Sequence, residues 1–497
     1  MNPIFSRRRF LASTATLGAT LTAGIGAAGL PRVQARAETE VILRAVRRSI
    51  DVDGKAASVF GLTGPDGKPG LFLDPGQRFG VALANETGES TIVHWHGQTP
   101  GPDQDGVADT GYVAPIAAGR QQSYGFAPRT GTHWMHAHHG LQEQALMAAP
   151  LIVRTNEDRR RDAQEVTILL HDFSFRDPAE LLAELTKGSG GMDMSHAGMP
   201  NMPDDMEGMD MSQMDHGNMD HGAMSGSMSG MDLNDVAYDA FLANDRTLSD
   251  PEVIVVERSG RVHLRLINGA TATAFWIDLG SLAGTVIAAD GNPVQPLQGS
   301  RFPMAQGQRL DILLDLPAGG AFPVLAQREG DTARTGILLA TPGASVEKIA
   351  SKADQAAAAV DNSLEAQLVA AMPLTAKPAD VTHRLGLTGS MAPYQWSFDG
   401  KTWKDHVPLT VKAGQRVAIE LVNRSMMAHP MHLHGHHFQV TALNGTPLPG
   451  AVRDTVLVPV NGSVTLAFDA DNPGRWLFHC HNLYHMATGM MTAVAYA

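Results

Sequence analysis

The sequence predicts an all-β protein of roughly three domains. Aromatic residues are few, at 6%, while glycine and proline are frequent, with 51 and 29 copies. The apolar residues come in short runs such as VHLRLIN (262–268) and RLDILLDL (309–316) rather than at helical spacing. About 460 residues remain once a leader is set aside, enough for three units of ordinary domain size.

The leader comes first. Ser6-Arg7-Arg8-Arg9-Phe10-Leu11 is a twin-arginine pattern, followed by a mildly apolar run to Leu30 and an Ala35-Arg36-Ala37 cleavage pattern. Residues 1–37 therefore read as an export signal for the twin-arginine export machinery, which carries folded proteins to a bacterial periplasm. The run is too rich in Gly and Thr to serve as a stable membrane anchor. Its removal takes away five Arg and no acidic residue, so the formal charge of −13 becomes −18. Such an acidic surface argues against nucleic acid and anionic membrane as partners and suits neutral or cationic ones. With one cysteine in 497 residues, no disulfide can form within the chain, even in an oxidising compartment.

Domain 1 is expected over 38–155, ending in the apolar APLIV. It holds two histidine pairs, His94 and His96 in TIVHWHG and His136 and His138 in GTHWMHAH. The members of each pair are two residues apart in a β-favouring context, so on a strand both face the same side. Domain 2 is expected over 164–345. Within it, residues 191–231 hold twelve of the 24 Met together with His196, His216 and His221, in repeats such as MDHGNMDHGAM. Almost without aliphatic residues, this insert cannot bury a core. Thioethers are soft ligands that prefer Cu(I), and a polar linker has no need of side chains so easily oxidised, so copper capture is its expected role. The Ala-rich stretch over 346–377 reads as a linker or a helix, and domain 3 is expected over 378–497.

Domain 3 carries the most informative segment. HCHNLYHMATGM, residues 479–490, contains the only cysteine, set between two histidines. Strand alternation sends His479 and His481 one way and Cys480 the other, so one segment can serve two metal sites. Cys480, His485 and Met490 offer a thiolate, an imidazole and a thioether, the ligands of a blue-copper electron-transfer site that still lacks one histidine. His429 in HPMHLHGH is the expected fourth ligand, and His432 and His434 in the same motif repeat the two-residue spacing. Four His-x-His units thus supply eight imidazoles, more than one tetrahedral zinc uses, and neutral imidazole suits copper. Strand histidines taken singly are mostly solvated or packed, but four such pairs beside a lone cysteine leave that reading about one chance in a hundred.

HWHG, HWMHAH, HPMHLHGH and HCHNLYHMATGM resemble the four copper-binding motifs of the multicopper oxidases, and the resemblance covers most of the mature chain. It implies three cupredoxin-like Greek-key β-sandwich domains, the first and third meeting around shared metal, and four copper ions per chain. It further implies that His429, Cys480, His485 and Met490 hold the type 1 copper and that His94 and His432 hold the type 2 copper. His96, His136, His138, His434, His479 and His481 would then hold the binuclear type 3 pair. Such an enzyme takes electrons one at a time at the type 1 site and reduces dioxygen to water at the three-copper cluster. Asp105, in DQDGV, matches the family's acidic residue near that cluster and is the expected proton relay, with a turn residue before Gly106 as the alternative.

The insert and HHGLQEQ (138–144) resemble the copper-resistance and cuprous-oxidase branch. Met427 matches a methionine that binds substrate Cu(I) in such relatives, and Met486 is a second candidate at a position where some relatives carry Glu. The aspartate of that site is Ser425 here. Met426 and Met431 are expected to pack in the core. Trp95 and Trp134 are expected beside the cluster, and His133, His139, His436 and His437 next to the ligands or at the surface. The expected activity is oxidation of Cu(I) to Cu(II) by dioxygen in copper tolerance, by a monomer. A laccase using small phenolic reductants or aromatic amines is the alternative enzyme, and a non-catalytic periplasmic copper-binding protein the alternative of another class.

Overall fold

The computed structural model describes residues 40–187 and 233–497; the leader and the Met/His-rich insert lie outside the described residues. Among the described residues the strands form six sheets that pack face to face in three pairs. In the first pair, a sheet of Val41–Val52, Lys55–Thr63, Phe79–Glu86 and Gln121–Phe126 faces one of Leu71–Leu73, Val93–His94, Gly131–Ala137 and Ala148–Val153. Leu43, Phe60 and Val81 of one interlock with Met135, Ala149 and Leu151 of the other. The second pair joins six strands to five, with Leu264 and Ile312 against Phe275 and Ile337. The third joins seven to five, with Val417 and Phe438 against Met431, Phe478 and Val494.

Strand burial shows which strands have a function beyond the core. Val41–Val52 alternates between buried and exposed positions, as a sheet with one wet face should. Gly131–Ala137 and His429–Leu433 are buried at every position, and Arg475–Cys480 at all but its first. These strands have a core face and a second covered face; His136, His432 and His479 occupy the second, while His429 lies on the core face with Cys480.

The Ala-rich stretch forms no helix. It runs along the second sheet pair through bridges from Lys352 to Ala333, Ala357 to Glu329 and Ala370 to Val294, and it places Leu364 and Leu368 in that core. Alanine's helical preference is a few tenths of a kcal/mol per residue, whereas each buried leucine contributes roughly 1.5–3 kcal/mol, so burial wins. Among the described residues no helix is long and apolar enough to cross a membrane.

Candidate metal centres

Cys480 ends a strand that pairs antiparallel with His429–Leu433, Met431 opposite Cys480 and His432 opposite His479. The alternation anticipated from the sequence is therefore present in both strands. Cys480 Sγ lies 3.6 Å from His429 Nδ1 and 3.5 Å from His485 Nδ1, and the two nitrogens are 3.1 Å apart. His485 is carried by a short helix, Leu483–Ala487, capped by the Asn482 side chain, which accepts from the backbone N–H of Tyr484 and His485. Met490 is fully buried in the same apolar cluster, and its carbonyl accepts from the Cys480 N–H at 3.1 Å. The outer nitrogens are held as well. Ser425 Oγ is 2.7 Å from His429 Nε2, and the Asp235 carboxylate is 3.2 Å from His485 Nε2. Trp396 lies against the His485 ring, with centroids 4.1 Å apart.

The eight histidines of the four His-x-His units form three groups, the ligand atoms of each within 4.8 Å of one another: His94, His96 and His432; His96, His136 and His481, which shares His96 with the first; and His138, His434 and His479. The facing nitrogens are close, 3.0 Å for His434 and His479 Nε2, 3.4 Å for His96 Nδ1 and His136 Nε2, and 3.5 Å for His94 and His432 Nε2. Among the described residues, neither nitrogen of His481 nor Nε2 of His138 has a hydrogen-bond partner. Burial, reinforced by neighbouring imidazoles, holds His96, His136, His434, His479 and His481 well below the usual histidine range. Neutral imidazoles whose lone pairs converge repel one another unless a cation lies between them. At the cysteine site, burial pushes the Cys480 thiol well up, so a thiolate there needs a metal. The residues present fit copper on both counts.

Carboxylates and backbone carbonyls aim the cluster from outside. The Asp105 carbonyl accepts from His94 Nδ1 at 3.0 Å while its Oδ2 lies 2.9 Å from His434 Nδ1, so one residue joins histidines of the first and third sheet pairs. Gly106 makes that approach feasible: its φ is +77°, and a Cβ there would sit 1.8 Å from the Val93 carbonyl oxygen. Asp454 Oδ1 is 2.9 Å from His96 Nε2 and accepts from Arg309 at 2.7 Å, and the Asp454 carbonyl lies 2.9 Å from His432 Nδ1. Gly97, φ +86°, leaves room for this pair, since a Cβ would meet Arg309 and His133 at 2.5 Å. Glu143 Oε2 lies 2.8 Å from His136 Nδ1.

Multicopper oxidase family profiles match residues 46–158, 164–342 and 376–497. A multicopper oxidase of Mycobacterium tuberculosis, MmcO, is 32% identical over 99% of this chain and 97% of its own. The chain belongs to the multicopper oxidase family. As a member, this multicopper oxidase uses copper as cofactor and dioxygen as electron acceptor. It is also 26% identical to copper resistance protein A of Pseudomonas syringae pv. tomato, over 98% of each chain. Among solved structures, Fet3p, a multicopper oxidase that functions in iron import, aligns with a TM-score of 0.71 over 92% of this chain and 90% of that one, at 17% identity, a likeness of fold.

Within this multicopper oxidase the remaining sequence expectations divide. Met431 and Met427 are buried in the core that holds Cys480. Met486 packs elsewhere, with Val107, Trp403, Leu477 and Met491. Met426, expected to pack, is 60% exposed, because its neighbour Met427 takes the inward position. Trp134 stacks on His136 with centroids 4.3 Å apart, as expected. Trp95 does not sit beside the cluster; it lies between two inward histidines and so points into the first core, 4.8 Å from Phe79 and 4.9 Å from Tyr124. His133 and His436 are buried, while His139 and His437 are partly covered. Sequence reasoning assigned no role to Asp454, Glu143 or Asp235. An Arg-Asp pair inside the apolar AVRDTVLVPV was a legible signal for Asp454, and HHGLQEQ contained Glu143. Nothing local pointed to Asp235.

Proposed function

We propose that this oxidase converts Cu(I) to Cu(II) in copper tolerance, and one observation carries the reading: both flanks of the methionine-rich insert converge on the Cys480 site. Before the insert, helix Pro178–Thr186 puts Leu181 into the core shared with Cys480, His485's neighbour Tyr484 and Met490, with Leu182 and Leu185 against it. After the insert, Asp235 reaches His485 and Val236 enters the same core. The described residues on either side of the segment that carries twelve thioethers thus pack beside the place where electrons enter, which suits a soft cation as reductant. Similarity to copper resistance protein A supports the same reading.

In this reading His429, Cys480, His485 and Met490 hold type 1 copper, His94 and His432 type 2, and His96, His136, His138, His434, His479 and His481 the type 3 pair. Bound there, copper supplies one-electron oxidation at the cysteine site and four-electron reduction of dioxygen at the histidine cluster. Four substrate Cu(I) ions give up four electrons, and one dioxygen with four protons becomes two waters. Cys480 connects the sites through its own backbone, since both chain neighbours are cluster histidines. Ser425 and Asp235 fix the outer edges of the two type 1 imidazoles, and Met427, buried in the core that holds Cys480, is the methionine assigned to the substrate ion from its match to the cuprous-oxidase motif. Asp105, buried between His94 and His434, is the residue positioned to pass protons inward. The leader delivers the enzyme to the periplasm, where it acts as a monomer.

Dioxygen uptake by the copper-loaded mature protein, with Cu(I) and with dimethoxyphenol as reductants, tests the proposal. Fast uptake with Cu(I) that disappears in Cys480→Ser, and slow uptake with the phenol, is the expected result; the opposite preference would identify a laccase. Copper binding without uptake from either reductant would favour a carrier. Deleting residues 191–231 should lower Cu(I) oxidation while sparing the phenol, and equal loss of both would make the insert structural.

A further inference from the structure

HHGLQEQ stood out in the sequence, and the function assigned above uses only its first histidine. Its acidic residue, Glu143, is 3% exposed. Glu143 Oε2 is 2.8 Å from His136 Nδ1, and Oε1 has no hydrogen-bond partner among the described residues. Among the described residues no arginine forms an ion pair with it, unlike Asp454, which is tied to Arg309. The residues on either side explain how so isolated a carboxyl stays in place. Gln142 accepts from Thr91 Oγ1 at 2.7 Å and donates to the Ser90 carbonyl at 2.9 Å. Gln144 faces the opposite way and accepts from Thr271 Oγ1 at 2.6 Å, Tyr238 OH at 2.8 Å and Tyr484 OH at 2.9 Å. Side chains from all three sheet pairs therefore clamp the two glutamines, and the residue between them is aimed at one imidazole.

We propose that Glu143 is the positioning residue for His136, accepting a hydrogen bond from Nδ1–H and so turning the Nε2 lone pair to the metal. The inference rests on the assignment of His136 to the type 3 pair. Trp134 stacks on the ring with centroids 4.3 Å apart and fixes its plane, but stacking does not distinguish Nδ1 from Nε2. The other acceptor near Nδ1 is the carbonyl of the adjacent Ala137, at 3.3 Å. His94, His432 and His479 each rely on a backbone carbonyl at 2.9–3.0 Å. His136 has only a long one, and Glu143 makes up the difference.

The test compares wild type with Glu143→Leu, which removes the acceptor, and Glu143→Gln, which keeps one. Each is loaded with copper, and three quantities are read: copper per chain, copper retained against a competing chelator, and the share of Cu(II) silent in paramagnetic resonance because two ions are coupled. The leucine variant should hold the coupled pair about 10–100-fold less tightly, with silent copper replaced by visible or lost copper, and glutamine should restore retention to within a few-fold of wild type. Glu143→Met is a second acceptor-poor variant, unbranched like the native side chain, should leucine prevent folding as judged by thermal unfolding. Unchanged retention in the acceptor-poor variants, or loss in Glu143→Gln as large as theirs, overturns the proposal. A wild type with no silent pair overturns the type 3 assignment itself and the role of Glu143 with it.

Discussion

The cysteine site and the histidine cluster share a strand, yet they are built in opposite ways. The cysteine site lies within one sheet pair: Cys480, His429, His485 and Met490 all belong to the third pair or its edge and are enclosed by Trp396, Phe478 and Met431. The cluster lies between sheet pairs, and Asp105, Glu143 and Asp454 hold its imidazoles from outside. The first is a gap in a hydrophobic core whose shape comes from packing. The second is an interface whose geometry comes from hydrogen bonds across long stretches of chain, with Arg309 and Asp290 of the second pair in its supporting frame. A site inside a core suits an electron entrance that needs one fixed ligand field. A site at an interface can gather more donors than one sheet can present.

The largest break in this comparison should come from Cys480→Ser. Dioxygen uptake should fall by at least about 100-fold, the upper end for loss of a supporting residue, while the protein keeps three of its four coppers. Metal analysis with uptake measurements checks this, and loss of all copper would show that the two sites do not fold independently. Next, Asp454→Ala leaves the buried Arg309 with Asp290 at 3.7 Å as its one carboxylate among the described residues, beside two backbone carbonyls, so the copper-free protein should lose about 3–5 kcal/mol in denaturant unfolding. No loss would remove the electrostatic frame from the argument. Asp105→Asn should slow uptake by about 10–100-fold without changing the absorption of the cysteine site, because only the cluster depends on it. The smallest change, Ser425→Ala, removes the hydrogen bond to His429 Nε2 and should cost about 1 kcal/mol in stability while altering the cysteine site's spectrum and leaving the cluster's unchanged.

Read alone, the sequence determined the candidate donors. Strand alternation is a local rule, so His479, Cys480 and His481 were sorted to two sides before any fold was known, whereas the register that sets His432 opposite His479 came only with the fold. The all-β class was equally legible in its short apolar runs. Tertiary structure alone decided what holds those donors, because the partners are distant in sequence: Asp105 and His434 are 329 residues apart, and His96 and Asp454 are 358 apart. It also separated Trp134, stacked on a ligand, from Trp95, packed in a core, and drew the Ala-rich stretch out of the helix its composition allowed. It brought Asp235 and the flanks of the insert to the cysteine site, which no local pattern signals. Chain connectivity fixes which side chains lie a residue or two apart; which surfaces meet depends on burying three cores at once.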